Sequence, residues 1–335
     1  MDGGPNGRRQ FLAALGGAAL SAFGRASAAS AGGVVGTTSP KPAARVVIVK
    51  AKKVLIDGYD ADRGAMRAML EAGLCRLSGR TTAASALAMF IRPSDRVGFK
   101  INGLAGRHAA THVELVDELA VLAERVGVDP RRQIAFDRFQ SDLTASGFNQ
   151  QRGMGYACVG NDQAGHEEEL EQMPSSASRL CLTLTKGVDS VINLPVLKQH
   201  MLAGMTGALK NNFGCIHNPN KMHLTGCDPY VAEVNALPVI RRKQKLIIMD
   251  ALRPVVHGGP SFHAPMAVPA FTLLFATDPV AIDTIGLQLL ETLRAKRGLP
   301  SLDKEGIPAQ YLTTATQMGL GVGDRSLIEV ISVEV

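Results

Sequence analysis

"SVINLPVLKQHMLAGMTGALKNNFG", residues 190–214, sets the reading of the fold. It opens with SVINLP, a β-branched run of the kind that forms a buried strand. Pro195 is expected to end that strand, because proline donates nothing to a central ladder. Two lysines, a histidine and two asparagines follow, set among glycines and small apolar residues with no carboxylate to pair them. A segment this apolar should not leave so many donors without partners unless something binds there. Thr206 is expected to cap a short helix, GALKNNF, that closes at Gly214, with its first backbone N–H groups facing an anion. Gly204 and Gly207 would let that anion approach closely. Lys210 lies one turn into the helix. His200 does not share its helical face, so the two meet only if HMLAGM folds back as a loop.

Working outward, short β-branched runs alternate with helical patterns, which predicts an α/β fold: a mostly parallel sheet with helices on both faces. The strand candidates are residues 45–50, 96–101, 133–137, 190–195, 245–250, 271–277 and 327–335. One helix is expected from Thr111, where Thr111 and Glu114 form a capping box ahead of Leu115, Leu119, Leu122 and Val126. Another starts at Asp278-Pro279, buries Ile282, Ile285, Leu289 and Leu293, and carries Arg294, Lys296 and Arg297 in its last turn. Ligands of open parallel sheets bind beyond the carboxyl ends of the strands. Those ends deliver Lys100 and Asn102, Asp137 and Arg138, then Asn193, Lys198 and His200, and finally Asp250 with Arg253. The shared pocket rim this implies has His200, Lys198 and Lys210 as its catalytic candidates. Lys100, Asn102, Arg138, Asn193 and Asn211 are its substrate-binding candidates, suited to a small anionic ligand.

The N-terminus carries an address. RRQFL puts Arg8 and Arg9 directly before the apolar run at 11–23, and Ala-Ser-Ala follows at 26–28. This pattern reads as a twin-arginine (Tat) signal, residues 1–28, cleaved after Ala28. It implies the Tat translocase as a partner during export and a periplasmic or extracellular mature protein. The run is too short to span a bilayer as a helix, so no stable membrane anchor is expected. Residues 29–44 read as a flexible linker and 45–335 as one α/β domain, with room for two lobes. The net charge of +6 falls once the leader's arginines are removed, and the chain has no Trp and only four Tyr. Nucleic acid is not an expected partner.

Five cysteines without a C-x-x-C argue against a disulfide framework and against a ferredoxin-type iron–sulfur cluster. Cys215, His217, His223 and Cys227 have ligand types suited to nickel, zinc or iron, with His223 the first candidate and His217 the second. The chain has no nucleophile elbow, no H-E-x-x-H, no Walker lysine loop and no dinucleotide fingerprint after a strand.

The stretches VGFKINGLAG, INLPVLKQHMLAGMTGALKNNFG, MDALRP…GGP and TDPVAID resemble the exported bacterial proteins of domain-of-unknown-function family 362, over roughly residues 95–300. Some of those relatives carry cysteine inserts for iron–sulfur clusters, which this chain lacks. HMLAGMTGALK is also similar to a segment of nickel-pincer lactate racemases, although NNFG stands where that segment continues with Pro-Gly. That likeness implies Lys210 as a tether for the pincer nucleotide, His200 as an acid/base group, and His223 or His217 as a nickel ligand. Three functions stay open. One is an exported enzyme with a bound metal or tethered cofactor, taking a racemase- or oxidoreductase-like step at a hydroxy acid. Another is a non-catalytic periplasmic anion- or metal-binding protein. The third is a redox or metal-handling protein built on Cys215, His217, His223 and Cys227.

Overall fold

The computed structural model describes residues 42–149, 153 and 155–335; the leader and most of the linker lie outside the described residues. Residues Pro40–Val335 form one compact unit. Its strands are β1 (Ala44–Lys50), β2 (Val97–Ile101), β3 (Gln133–Asp137), β4 (Ala157–Gly160), β5 (Glu171–Met173), β6 (Ser176–Ser178), β7 (Ser190–Leu194), β8 (Val196–His200), β9 (Gly204–Thr206), β10 (Gln244–Val255), β11 (Thr272–Ala276) and β12 (Ile328–Glu334). The main sheet runs β12-β1-β11-β10-β7-β2-β3-β4, with β8 and β9 attached through β10, while β5 and β6 form a separate hairpin. β11 is antiparallel to β1 and β10, and β9 to β8; the other pairs of the main sheet are parallel.

Strand residues alternate between two cores. Val191, Ile247 and Met249 point into one, with helices Tyr230–Ala236, Pro279–Lys296 and Gln310–Gln317. Ile192, Leu194, Leu246 and Ile248 point into the other, beneath helices Arg63–Ser78 and Val113–Val126. A sheet covered on both faces needs apolar residues at successive positions, which is why its strands read as continuous runs.

All seven strand candidates are present, and the run that opens at Ser190 ends at Leu194, directly before Pro195, as expected. Chain pairing resumes at Val196, and β8 runs beside the second half of β10, with Asp250 opposite Val196 and Val255 opposite Lys198. The missing proline N–H does no harm, because Pro195 takes part through its carbonyl, which accepts from the Asp250 N–H at 2.8 Å. One helix expectation needs correcting. The helix at 113 is not capped by Thr111, whose hydroxyl accepts from the Asn102 N–H and donates to the Leu194 carbonyl, tying two strand ends together. Arg294 lies in the last turn of Pro279–Lys296, as expected. It is fully buried, donating to the carbonyls of Val256 and Pro300 and pairing with Glu305 at 2.8 Å. Asp278 does cap Pro279–Lys296, accepting from the N–H groups of Val280 and Ala281.

Candidate functional site

The parallel strands β2, β3, β7 and β8 deliver their carboxyl ends to one edge of the sheet, and the expected polar residues converge there. The structure uses several of them up. Lys100 is 0% exposed; its ammonium donates to Asp137 Oδ1 and the Ile101 carbonyl, both at 2.7 Å, and to Asn211 Oδ1 at 3.3 Å. Asp137 Oδ2 accepts from the Gly103 N–H. Lys100 is therefore an internal counter-ion and not a free cation for substrate. Asn193 and Asn211 are also consumed. Asn211 donates to Asn193 Oδ1 and the Lys100 carbonyl, and Asn193 donates to the Ala208 carbonyl and Gln244. Lys198 is buried with its ammonium on the carbonyls of Leu104 and Ala109, fastening the loop after β2 to β8. Burial, helped by the nearby Lys210 charge, pushes its pKa down to about 7 against the opposing pull of Asp137.

β8 and β9 form a hairpin whose turn brings His200 back over the helix that carries Lys210, the fold-back that their spacing requires. That helix, Ala208–Asn211, is not capped by Thr206. The Asp283 carboxylate reaches in from helix Pro279–Lys296 and accepts from the N–H groups of Ala208 and Leu209 at 2.6 and 3.0 Å. The anion expected at the helix start is thus supplied by the protein. Gly207 is required by this contact, since a Cβ there would meet the carboxylate at 2.4 Å. Burial raises Asp283 to about 7, against the two N–H bonds that favour its charged form.

Lys210, His200 and His223 face a common cavity of about 330 Å³, together with Asn102, Arg138, Asp142 and Thr206. The His223 Nδ1 lies 3.0 Å from the Pro219 carbonyl, which can only accept, so the proton sits on Nδ1. Its Nε2 is then free to accept from the Lys210 ammonium 3.2 Å away. The His200 ring stacks near His223, centroids 5.7 Å apart, and its Nδ1 accepts from the N–H groups of Leu202 and Ala203. Its proton is consequently on Nε2. Burial and the charge of Lys210 push its pKa down to about 2, so His200 is a neutral hydrogen-bond donor. The general-base role implied by the racemase likeness does not suit it, because the nitrogen that would take up a proton is already held by two backbone donors.

Lys210 is buried, and no carboxylate pairs with it among the described residues. Its neighbours are His223, the Cys227 thiol and the Phe213 ring, 4.9 Å from the ammonium. Burial lowers its pKa. Arg138, half-buried, donates to Asn220 and lies over Phe139. Two polar atoms on the cavity wall have no partner among the described residues: Asn102 Oδ1 and Thr206 Oγ1, on residues 8% and 5% exposed. Buried polar atoms are almost always satisfied, so these two mark where a ligand or ordered water completes the site. Asp142 and Asn220 were not singled out by the sequence, and Thr206 was read only as a helix cap. Asp142 is held above the usual carboxylate range by burial and by Asp137. Only its place in the first turn after β3 could have flagged it.

The four candidate metal ligands do not gather at one point. Cys215 hydrogen-bonds the Cys181 thiol, His217 packs on His166, and Cys227 and His223 both approach Lys210. Among the described residues, no three His, Cys, Asp or Glu side chains gather in a way that could hold a metal. A larger recess, about 710 Å³, lies along Glu167, Glu168, Glu169 and Glu171. Its walls hold no orphaned buried polar atom among the described residues, and Glu167 already engages Thr185 and Lys186. Also among the described residues, no helix is long and apolar enough to cross a membrane.

A family model described as Domain of unknown function (DUF362) matches residues 98–288, which include every wall of the cavity named above. No curated protein matches the chain. A crystal structure of a Thermotoga maritima protein is similar at 9% identity and a TM-score of 0.40, over 73% of this chain; the match spans 61% of that protein's length.

Proposed function

The chain belongs to the DUF362 family, and we propose that it is an exported enzyme that binds a small anionic substrate at the strand-end cavity, with Lys210 as its functional amine. The observation that carries this reading is the buried Lys210 ammonium, which has an imidazole acceptor at 3.2 Å and, among the described residues, no carboxylate to neutralise it. A buried cation without a counter-ion is costly, and an anionic ligand is the partner that removes the cost. Arg138 supplies a second positive group on the same wall and neutral His200 a hydrogen-bond donor. The orphaned oxygens of Asn102 and Thr206 favour a ligand that also carries a hydroxyl, as a hydroxy acid does. A resident transition metal does not fit the described residues, since His223 directs its free nitrogen at Lys210 and has no two further ligands among them. The twin-arginine leader supports a periplasmic location.

The test is intact mass and elemental analysis of mature chain purified from periplasm, with titration of oxalate and lactate by calorimetry. Saturable anion binding that disappears in Lys210→Met, with the circular dichroism spectrum retained, is expected. Near-stoichiometric metal, or binding unchanged in the variant, would overturn the reading.

A further inference from the structure

The arrangement around Lys210 specifies chemistry as well as charge. An amine is nucleophilic only when unprotonated, and enzymes reach that state near neutral pH by desolvating a lysine and placing other cationic groups nearby. Lys210 meets the first condition through burial, and its own acceptor, His223 Nε2, stands 3.2 Å away to take the proton. Two further polar groups on the wall suit a carbonyl compound. His200, fixed as the Nε2–H tautomer by two backbone donors, is set to donate to a carbonyl oxygen and is too weak a base to compete for the proton. Arg138 offers the planar donor pair that recognises a carboxylate.

We infer that Lys210 forms an imine with a 2-oxo acid, Arg138 holding the carboxylate and His200 polarising the ketone or aldehyde oxygen. The inference rests on the anion-binding reading of the cavity. The Lys210 ammonium gives a proton to His223 Nε2, and the nitrogen lone pair attacks the carbonyl carbon. The C=O π pair moves to oxygen, which takes the proton back from His223 Nε2 while the nitrogen returns one to it, giving a carbinolamine; that proton then leaves with the oxygen. Loss of that oxygen as water forms the C=N bond, so the balance is oxo acid plus amine to imine plus water, with no oxidant or reductant. Cys227, which also hydrogen-bonds Lys210, keeps its thiol protonated through burial and does not compete as a nucleophile. Lys198 takes no part, because both carbonyls that hold its ammonium are structural.

The experiment incubates the mature chain with glyoxylate and sodium cyanoborohydride, then measures intact mass and maps the modified peptide. One reduced adduct per chain at residue 210 is expected, half-maximal at a pH below the ordinary lysine value. It should be lost in Lys210→Arg and slowed at least tenfold in His223→Leu. Oxalate, which has the charge but no electrophilic carbonyl, should suppress trapping competitively. Adducts scattered over exposed lysines, or retained in Lys210→Arg, overturn the imine. Calorimetric binding of oxalate without any trapping at residue 210 also overturns the imine and leaves the anion pocket standing. No binding of either acid removes both.

Discussion

Replacing Lys100 by methionine decides whether that residue serves the ligand or the protein. Methionine keeps most of the volume and removes the charge. In the native chain the ammonium makes three hydrogen bonds, to Ile101, Asp137 and Asn211, at zero exposure. Without it, Asp137 remains in a nearly closed site with the Gly103 N–H as its one hydrogen bond. Stranding a buried charge in this way costs about 3–5 kcal/mol. Were Lys100 a cation waiting for substrate, its removal would relieve burial of an unpaired charge, and the ligand-free protein would be unchanged or more stable. The two accounts therefore differ in sign. Urea unfolding followed by circular dichroism reads the difference as a shift in midpoint at constant slope.

The double variant Lys100→Met/Asp137→Asn sharpens the test. Taking away both charges is often neutral when the pair is replaced by groups of similar size, so the double variant should recover a large part of the loss, a coupling of about 2–3 kcal/mol. The cavity gives a second readout. Asp137 lines it, so an uncompensated carboxylate in Lys100→Met should weaken oxalate binding, and Asp137→Asn should restore it. A single variant within about 1 kcal/mol of the native chain, or strictly additive losses, would refute the ion-pair account.

Gly214→Ala attacks the same pair from the other side: a Cβ would lie 2.5 Å from Asp137 Oδ1 and 2.8 Å from the Lys100 ammonium, and a loss of about 1–3 kcal/mol is expected on urea unfolding. Thr206→Val removes an orphaned buried hydroxyl, so the ligand-free chain should be as stable or up to about 1–3 kcal/mol more stable, while calorimetry should show weaker lactate binding. Asp283 makes stability fall as pH rises. Its pKa is raised from 3.8 to about 7 by burial, so between those values the native state holds a proton that the unfolded state has released. The loss across that window is at most about 4 kcal/mol, and the slope of melting temperature against pH should flatten in Asp283→Asn.

The sheet was legible because its central strands are apolar on both faces and end in a polar residue or a turn. β8 was not, since Pro195 looks the same in sequence whether it ends a ladder or contributes only its carbonyl to one. The residues around the cavity were legible as a group, because every strand end of a parallel block reaches the same edge. Their roles were less so. Lys100 and Lys210 are equivalent letters, and what separates them is Asp137, distant in sequence, which neutralises the first and leaves the second. The helix start at 208 was read as an anion site, which is correct chemistry, but the anion arrives from Asp283 on another helix.

This last substitution has a consequence for selectivity. A helix start left open binds anions through backbone dipoles and distinguishes poorly among them. With Asp283 occupying that position, recognition passes to side chains that differ in kind: a guanidinium at 138, a neutral imidazole donor at 200, an amine at 210, an amide oxygen at 102 and a hydroxyl at 206. Inorganic phosphate satisfies the cations but, as a compact tetrahedral dianion, does not present a carboxylate and a separate functional group to different walls of the cavity. A hydroxy or oxo acid has a second functional group for the remaining positions. Binding of phosphate should accordingly be weaker than that of lactate, and Asp283→Asn, which loosens the helix start, should narrow the gap between them. If phosphate binds as tightly as lactate to the native chain, recognition by these side chains is wrong and the cavity is a general anion site.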